Sequence, residues 1–105
     1  LVIDSNINVL KFPPKDGRNT LSLLLVKKKL TKLETNFDWV INANVFFKLE
    51  NDPKGEGHIC EIELSLPGPK IFASSNETNF ELAAKNSIKD LAKQLEKRKA
   101  SFSKH

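Results

Sequence analysis

A change of hydrophobic period partway along the chain restricts its fold more than any other feature. Apolar side chains recur at Leu23, Val26, Leu30, Leu33 and Phe37, in steps of 3, 4, 3 and 4, which places them on one face of an α-helix. Directly afterwards Ile41, Ala43, Val45, Phe47 and Leu49 alternate with Asn42, Asn44, Phe46 and Lys48, the period of a strand buried on one side. A helix with one greasy stripe and a strand with one greasy face are both satisfied by closing one on the other.

The remaining segments extend that pattern. Asn51 to Gly57 is a loop by its turn-forming residues, and Cys60, Ile62, Leu64 and Leu66 then alternate with Glu61, Glu63 and Ser65 as a strand antiparallel to its predecessor. The turn at Pro67, Gly68 and Pro69 leads into a short apolar strand from Lys70 to Ala73, and Ile7 to Phe12 reads as another strand near the N-terminus. Asn19 or Thr20 is placed to cap the first helix, and Leu21, Leu24 and Leu25 widen its stripe, predicting first turns buried on more than one side. After the cap-rich run Ser74 to Asn79, a second helix is marked by Phe80, Ala84, Ile88, Leu91 and Leu95, with residues 100–105 as a fraying tail. The predicted order is β-α-β-β-β-α. It corresponds to an α+β two-layer sandwich, a four-stranded sheet with two helices packed on one face, spanning 1–105 as a single domain.

Charge is unevenly distributed along this order. The net charge is +4, yet residues 15–34 and 78–105 each carry +4 while residues 35–77 carry −4. Packing both helices on one face makes the two basic segments neighbours and leaves the acidic excess to strands and loops. Lys85, Lys89, Lys93 and Lys97 lie four apart beside the core stripe, a ridge about 18 Å long at 1.5 Å per residue. No apolar run approaches the roughly 18 residues of a membrane span, the first dozen residues lack the layout of a secretion signal, and the single Cys60 forms no internal disulfide. A monomer in the reducing cytoplasm is the expectation.

The same residues also resemble the short form of the ribosome hibernation promoting factor family, the protein Y type, from about Ile7 to Lys99. The segment Lys28 to Asp38 (KKLTKLETNFD) resembles the family's KLxKLExxFD helix ending. Leu66 to Ser74 (LPGPKIFAS) is similar to its Pro-Gly turn and following strand, and Phe80 to Ala84 (FELAA) through Lys93 to Lys99 (KQLEKRK) is similar to its closing helix. The resemblance implies a bacterial, stress-related translation regulator that docks in the decoding region of the small ribosomal subunit and excludes messenger and transfer RNA. Lys29, Lys32, Lys93, Lys97 and Lys99 coincide with positions where the family is usually basic. Thr35 and Asp90 stand where many members have Lys, and the loop at 13–20 is longer by roughly four residues, a spacing that bears on Lys15 and Arg18. The C-terminal dimerisation domain of the long family form is not expected in this chain.

Chemically, a set of lysines on one rigid surface gains affinity for RNA by releasing the counterions condensed on phosphates. Lys outnumbers Arg by 15 to 2, which favours reading of backbone and shape over bases. The predicted RNA-binding residues are Lys28, Lys29, Lys32, Lys85, Lys89, Lys93, Lys97 and Lys99, with Lys15, Lys27 and Lys104 outside the set. A general double-stranded RNA module and a protein-interaction domain are the alternatives. No small-molecule substrate, cofactor or metal is expected. His58 and Cys60 share a strand face without an orienting Asn or Asp, and Glu61 and Glu63 are read as a solvated pair on the open sheet face. His58, His105 and scattered acids show no zinc spacing. Trp39 is expected to seal the core where the first helix ends, and Phe46 to be the one aromatic on the open face.

Overall fold

The computed structural model describes residues 7–14 and 17–102. Its elements are β1 (Ile7–Lys11), α1 (Gly17–Asn36), β2 (Asn42–Leu49), β3 (His58–Ser65), β4 (Ile71–Glu77) and α2 (Phe80–Phe102). The strands lie in the order β1-β2-β3-β4, with β1 parallel to β2 and the other two pairs antiparallel. The predicted α+β sandwich with β-α-β-β-β-α order is the observed one.

One face of the sheet and one stripe of each helix make the core. Ala43, Val45 and Phe47 of β2, Cys60, Ile62 and Leu64 of β3, and Ile71 and Ala73 of β4 are buried with Val26, Leu30 and Leu33 of α1 and Phe80, Ala84, Leu91 and Leu95 of α2. Phe47 meets Phe80 edge to face at 5.5 Å between centroids, a favoured geometry for ring quadrupoles. Trp39 packs against the core at the end of α1, edge-on to Phe37 at 5.9 Å, as expected. Two small polar residues are also buried: Ser22 on α1, and Ser87, whose hydroxyl donates to the Cys60 carbonyl at 2.7 Å and so ties α2 to β3.

Strand directions fix the helix directions. β1, β2 and β4 point the same way, and α1 and α2 each run back from the far end of one of them, so the two helices are parallel and begin at the same end of the molecule. Leu21 and Ser22 of α1 accordingly share a hollow with Phe80 and Glu81 of α2, while at the other end Lys99 of α2 sits over the Phe37 ring.

The structure corrects several local expectations. α1 begins at Gly17, so Asn19 and Thr20 lie inside its first turns; the Asn19 side-chain amide donates to the Pro14 carbonyl at 3.0 Å. The connection read as residues 13–20 is correspondingly shorter. Leu21 and Leu24 are more than half exposed, because neither the sheet nor α2 reaches the outer side of α1 there. Ile41 and Leu49 are likewise exposed at the two ends of β2. β4 runs four residues past Ala73: the polar stretch Ser74–Glu77 pairs with His58–Glu61 of β3, and only Asn79 caps α2, its Oδ1 accepting from the Leu82 N–H at 2.8 Å. α2 stays helical to Phe102, through part of the segment expected to fray.

Candidate nucleic-acid interface

Helical geometry sets where each lysine stands. Leu21 and Ser22 mark the flank of α1 that faces α2, and the 3.6-residue period carries Leu25, Lys29 and Lys32 along the same flank. Lys28 stands on the outer crest. Lys27 is half-buried on the opposite flank with Glu34, apart from the others. On α2, Gln94 and Arg98 mark the flank toward β4, and Lys99 marks the flank toward α1.

The α2 ridge is not straight. Each step of four residues overshoots a full turn by about 40°, so from Lys85 to Lys97 the row winds through about 120°. Lys85 stands toward α1, Lys93 on the crest, and Lys97 beside Arg98 and Gln94 in a hollow of about 370 Å³ at the β4 edge. The structure therefore gathers Lys29, Lys32, Lys85, Lys89 and Lys99 around the valley between the helices. Lys28 and Lys93 crown its walls, and Lys97 lies farthest from it.

All eight predicted lysines are exposed. Among the described residues, Lys28, Lys29, Lys32, Lys89, Lys93 and Lys97 are in no ion pair, whereas Lys85 meets Glu81 at 3.5 Å one turn away, an exposed pair of small energetic weight. The Lys99 ammonium lies 5.9 Å from the Phe37 ring centroid, which fixes a cation at the seam between the helix C-terminal ends. Lys15 and Lys104 lie outside the described residues.

The opposite face of the sheet has a different chemistry. Glu61 is paired with Lys48 at 2.9 Å, and Glu63 accepts from the Asn44 amide at 3.3 Å with Lys70 at 3.8 Å. These carboxylates are neutralised surface groups rather than an acid–base couple. Phe46 is half-buried there, and it is not the only aromatic on that face: Phe72 of β4 is 52% exposed, opposite Glu63. Burial pushes the Cys60 thiol up to about 12, partly offset by Ser87, and the Glu61 charge adds to the rise. A thiol so protonated is no nucleophile. The His58 ring packs edge-on to Phe80 at 4.9 Å, and its buried Nδ1 has no hydrogen-bond partner among the described residues. No group of three or more His, Cys, Asp or Glu side chains among the described residues is placed to hold a metal; His105 lies outside them. No helix among them is long and apolar enough to cross a membrane.

Sequence reasoning missed two residues that hold this surface in place. Arg98 donates to the carbonyls of Pro67 and Pro69 at 3.1 and 3.0 Å, and Gln94 donates to the Phe72 carbonyl at 3.0 Å, so the outer flank of α2 is pinned to the β3–β4 turn and the β4 edge. The one available signal was the Pro67-Gly68-Pro69 turn itself, which offers carbonyls and few N–H groups of its own.

A four-stranded mixed sheet backed by two parallel helices with lysine-bearing outer surfaces defines a small α+β domain with a basic helical face. Residues 25–102, well over half of the chain, match the Sigma 54 modulation protein / S30EA ribosomal protein family, and the chain belongs to that family, the hibernation promoting factor family that its sequence resembles. Its fold is similar to that of a ribosomal subunit interface protein from Coxiella burnetii, with a TM-score of 0.72 and 24% identity over 90% of this chain and 97% of that one. The Thermus thermophilus Protein Y N-terminal domain is also similar, with a TM-score of 0.65 and 20% identity over 86% of this chain and 97% of that one. No curated protein matches the chain.

Proposed function

We propose that this protein silences idle ribosomes by occlusion, as a cytoplasmic, non-enzymatic monomer. It binds ribosomal RNA of the small subunit at the decoding region through the two-helix face and excludes messenger and transfer RNA by its volume. The contributing residues are Lys28, Lys29, Lys32, Lys85, Lys89, Lys93, Lys97 and Lys99, each placing a mobile positive charge near phosphate. The observation that carries the reading is the exposure of all eight on two adjacent parallel helices, six of them outside any ion pair among the described residues. Membership of the family supports the ribosome as target. Six of these cations stand clear of carboxylates among the described residues and meet RNA without first breaking an ion pair.

The test is sucrose-gradient co-sedimentation with isolated small and large subunits. Replacing Lys29, Lys32, Lys89 and Lys93 together by Glu reverses four exposed charges that are in no ion pair among the described residues. The expected result is loss of small-subunit association with thermal stability nearly unchanged. A folded quadruple variant that still sediments with the small subunit refutes the reading. Equal affinity of the unmodified protein for naked duplex RNA and for subunits favours a general duplex-RNA module instead, and salt-insensitive association without RNA favours a protein-interaction domain.

A further inference from the structure

The two parallel helices begin side by side, and between their first turns lies a hollow of about 420 Å³ lined by Asn19, Leu21, Ser22, His58, Thr78, Asn79, Phe80 and Glu81. It is more enclosed than the hollow beside Lys97 or the one at the β2–β3 loop. Its volume is near the lower end of the roughly 300–1,000 Å³ that small-ligand pockets span, too small for a duplex and sufficient for one flat ring system.

Its chemistry is two-sided. The edge-to-face pair of His58 and Phe80 forms an apolar floor, and Leu21, 59% exposed, forms an apolar wall although nothing in the core requires a leucine there. The rim carries the hydroxyl of Thr78 and the amide of Asn79. Apolar walls with a few polar groups at the edge suit a nucleobase, whose faces are apolar and whose edges carry donors and acceptors. The comparable hollow at the β2–β3 loop is lined by Glu50, Asp52 and Glu56, which repel RNA, whereas the one carboxylate here, Glu81, is paired with Lys85 at 3.5 Å.

Position completes the argument. The valley holding Lys29, Lys32 and Lys85 opens at its upper end onto this hollow, since Glu81 lines it and pairs with Lys85. We propose that the hollow at the start of the two helices receives a single unstacked base of the RNA whose phosphates the lysines contact. This rests on the RNA reading above and adds to it a base contact that a purely electrostatic surface does not make.

The test uses the full chain with isolated small subunits and base-specific chemical probing with dimethyl sulfate, kethoxal and carbodiimide. Two variants address the hollow: Leu21→Trp and Thr78→Trp, both at exposed rim positions, fill it. Thermal melting establishes that each is folded. The unmodified protein is expected to protect at least one unpaired base, and the two Trp variants to sediment with subunits at about three- to tenfold lower affinity while that base regains its reactivity. Equal base protection by the unmodified protein and by folded Trp variants overturns the pocket and leaves the occlusion reading standing, as does the absence of any protected base on subunits that bind the protein. Failure of the unmodified protein to sediment with small subunits overturns both.

Discussion

If the helical face binds RNA as proposed, neutralising one of its lysines removes one phosphate contact, and the salt dependence of binding counts such contacts directly. Of the eight exposed lysines, six stand outside any ion pair among the described residues, Lys85 exchanges one exposed partner for another, and Lys99 is stacked over Phe37, so six to eight contacts are available. At about 0.7–0.9 counterions released per contact, the plot of log affinity against log salt has a slope of roughly −4 to −7. Raising salt from about 50 to 200 mM then weakens small-subunit binding by about 10²- to 10⁴-fold. The double variant Lys29→Gln, Lys93→Gln takes one cation from each helix without adding a repulsive charge, and its slope should be shallower by about 1.4–1.8. Lys48→Gln with Lys70→Gln is the matched control: it removes the same charge from the open sheet face, where those lysines meet Glu61 and Glu63. The assay is quantitative co-sedimentation at five or more salt concentrations. A control that flattens the slope as much as the helical pair would show that only net charge matters, and the assignment of a face would fail.

Other expectations concern the scaffold. The Cys60 thiol is held up to about 12 against 9.0 in the unfolded chain, so it stabilises the fold fully below pH 9 and loses that contribution as pH climbs toward 12, at up to about 1.4 kcal/mol per pH unit. Melting curves from pH 8 to 10.5 should fall more steeply for the unmodified protein than for Cys60→Ala, and parallel curves would contradict the burial argument. Gly57 has φ of 111°, and a Cβ there collides with the Glu50 carbonyl oxygen, whereas Gly55 at φ 82° has open space around it. Gly57→Ala should cost at least about 2 kcal/mol in urea unfolding and Gly55→Ala roughly half as much; equal costs would rule out the collision. Ser87→Ala removes the hydrogen bond to the Cys60 carbonyl and should cost about 1–2 kcal/mol by the same assay, with no change showing that the carbonyl needs no second donor.

The architecture was legible because both hydrophobic periods are long and regular: the alternation in β2 and β3 and the stripes of α1 and α2 correspond to the residues that are buried. Errors fell where the sequence is polar or at an element's end. Ser74–Glu77 has the composition of a cap, yet β3 offers it a ladder, and backbone pairing outweighs local preference. Leu21 and Leu24 count as core by composition, but no neighbour covers that side of α1. The lysines of the candidate surface were individually visible in the sequence. The winding of the α2 row and the separation of Lys27 from Lys29 depend on which flank each helix turns to the other, and a periodic pattern carries no information about that.

Because α1 and α2 lie the same way round, their peptide dipoles add instead of cancelling, as they would in an antiparallel pair. The end that holds Phe37 and Lys99 brings together two helix C-termini and the partial negative charge that accompanies them. Lys99, in the last turn of α2, therefore compensates the helices as well as facing outward, and mutating it mixes fold energetics with recognition. Lys29, Lys32, Lys89 and Lys93, outside the last turn of either helix, are the positions at which charge can be varied with little effect on the scaffold.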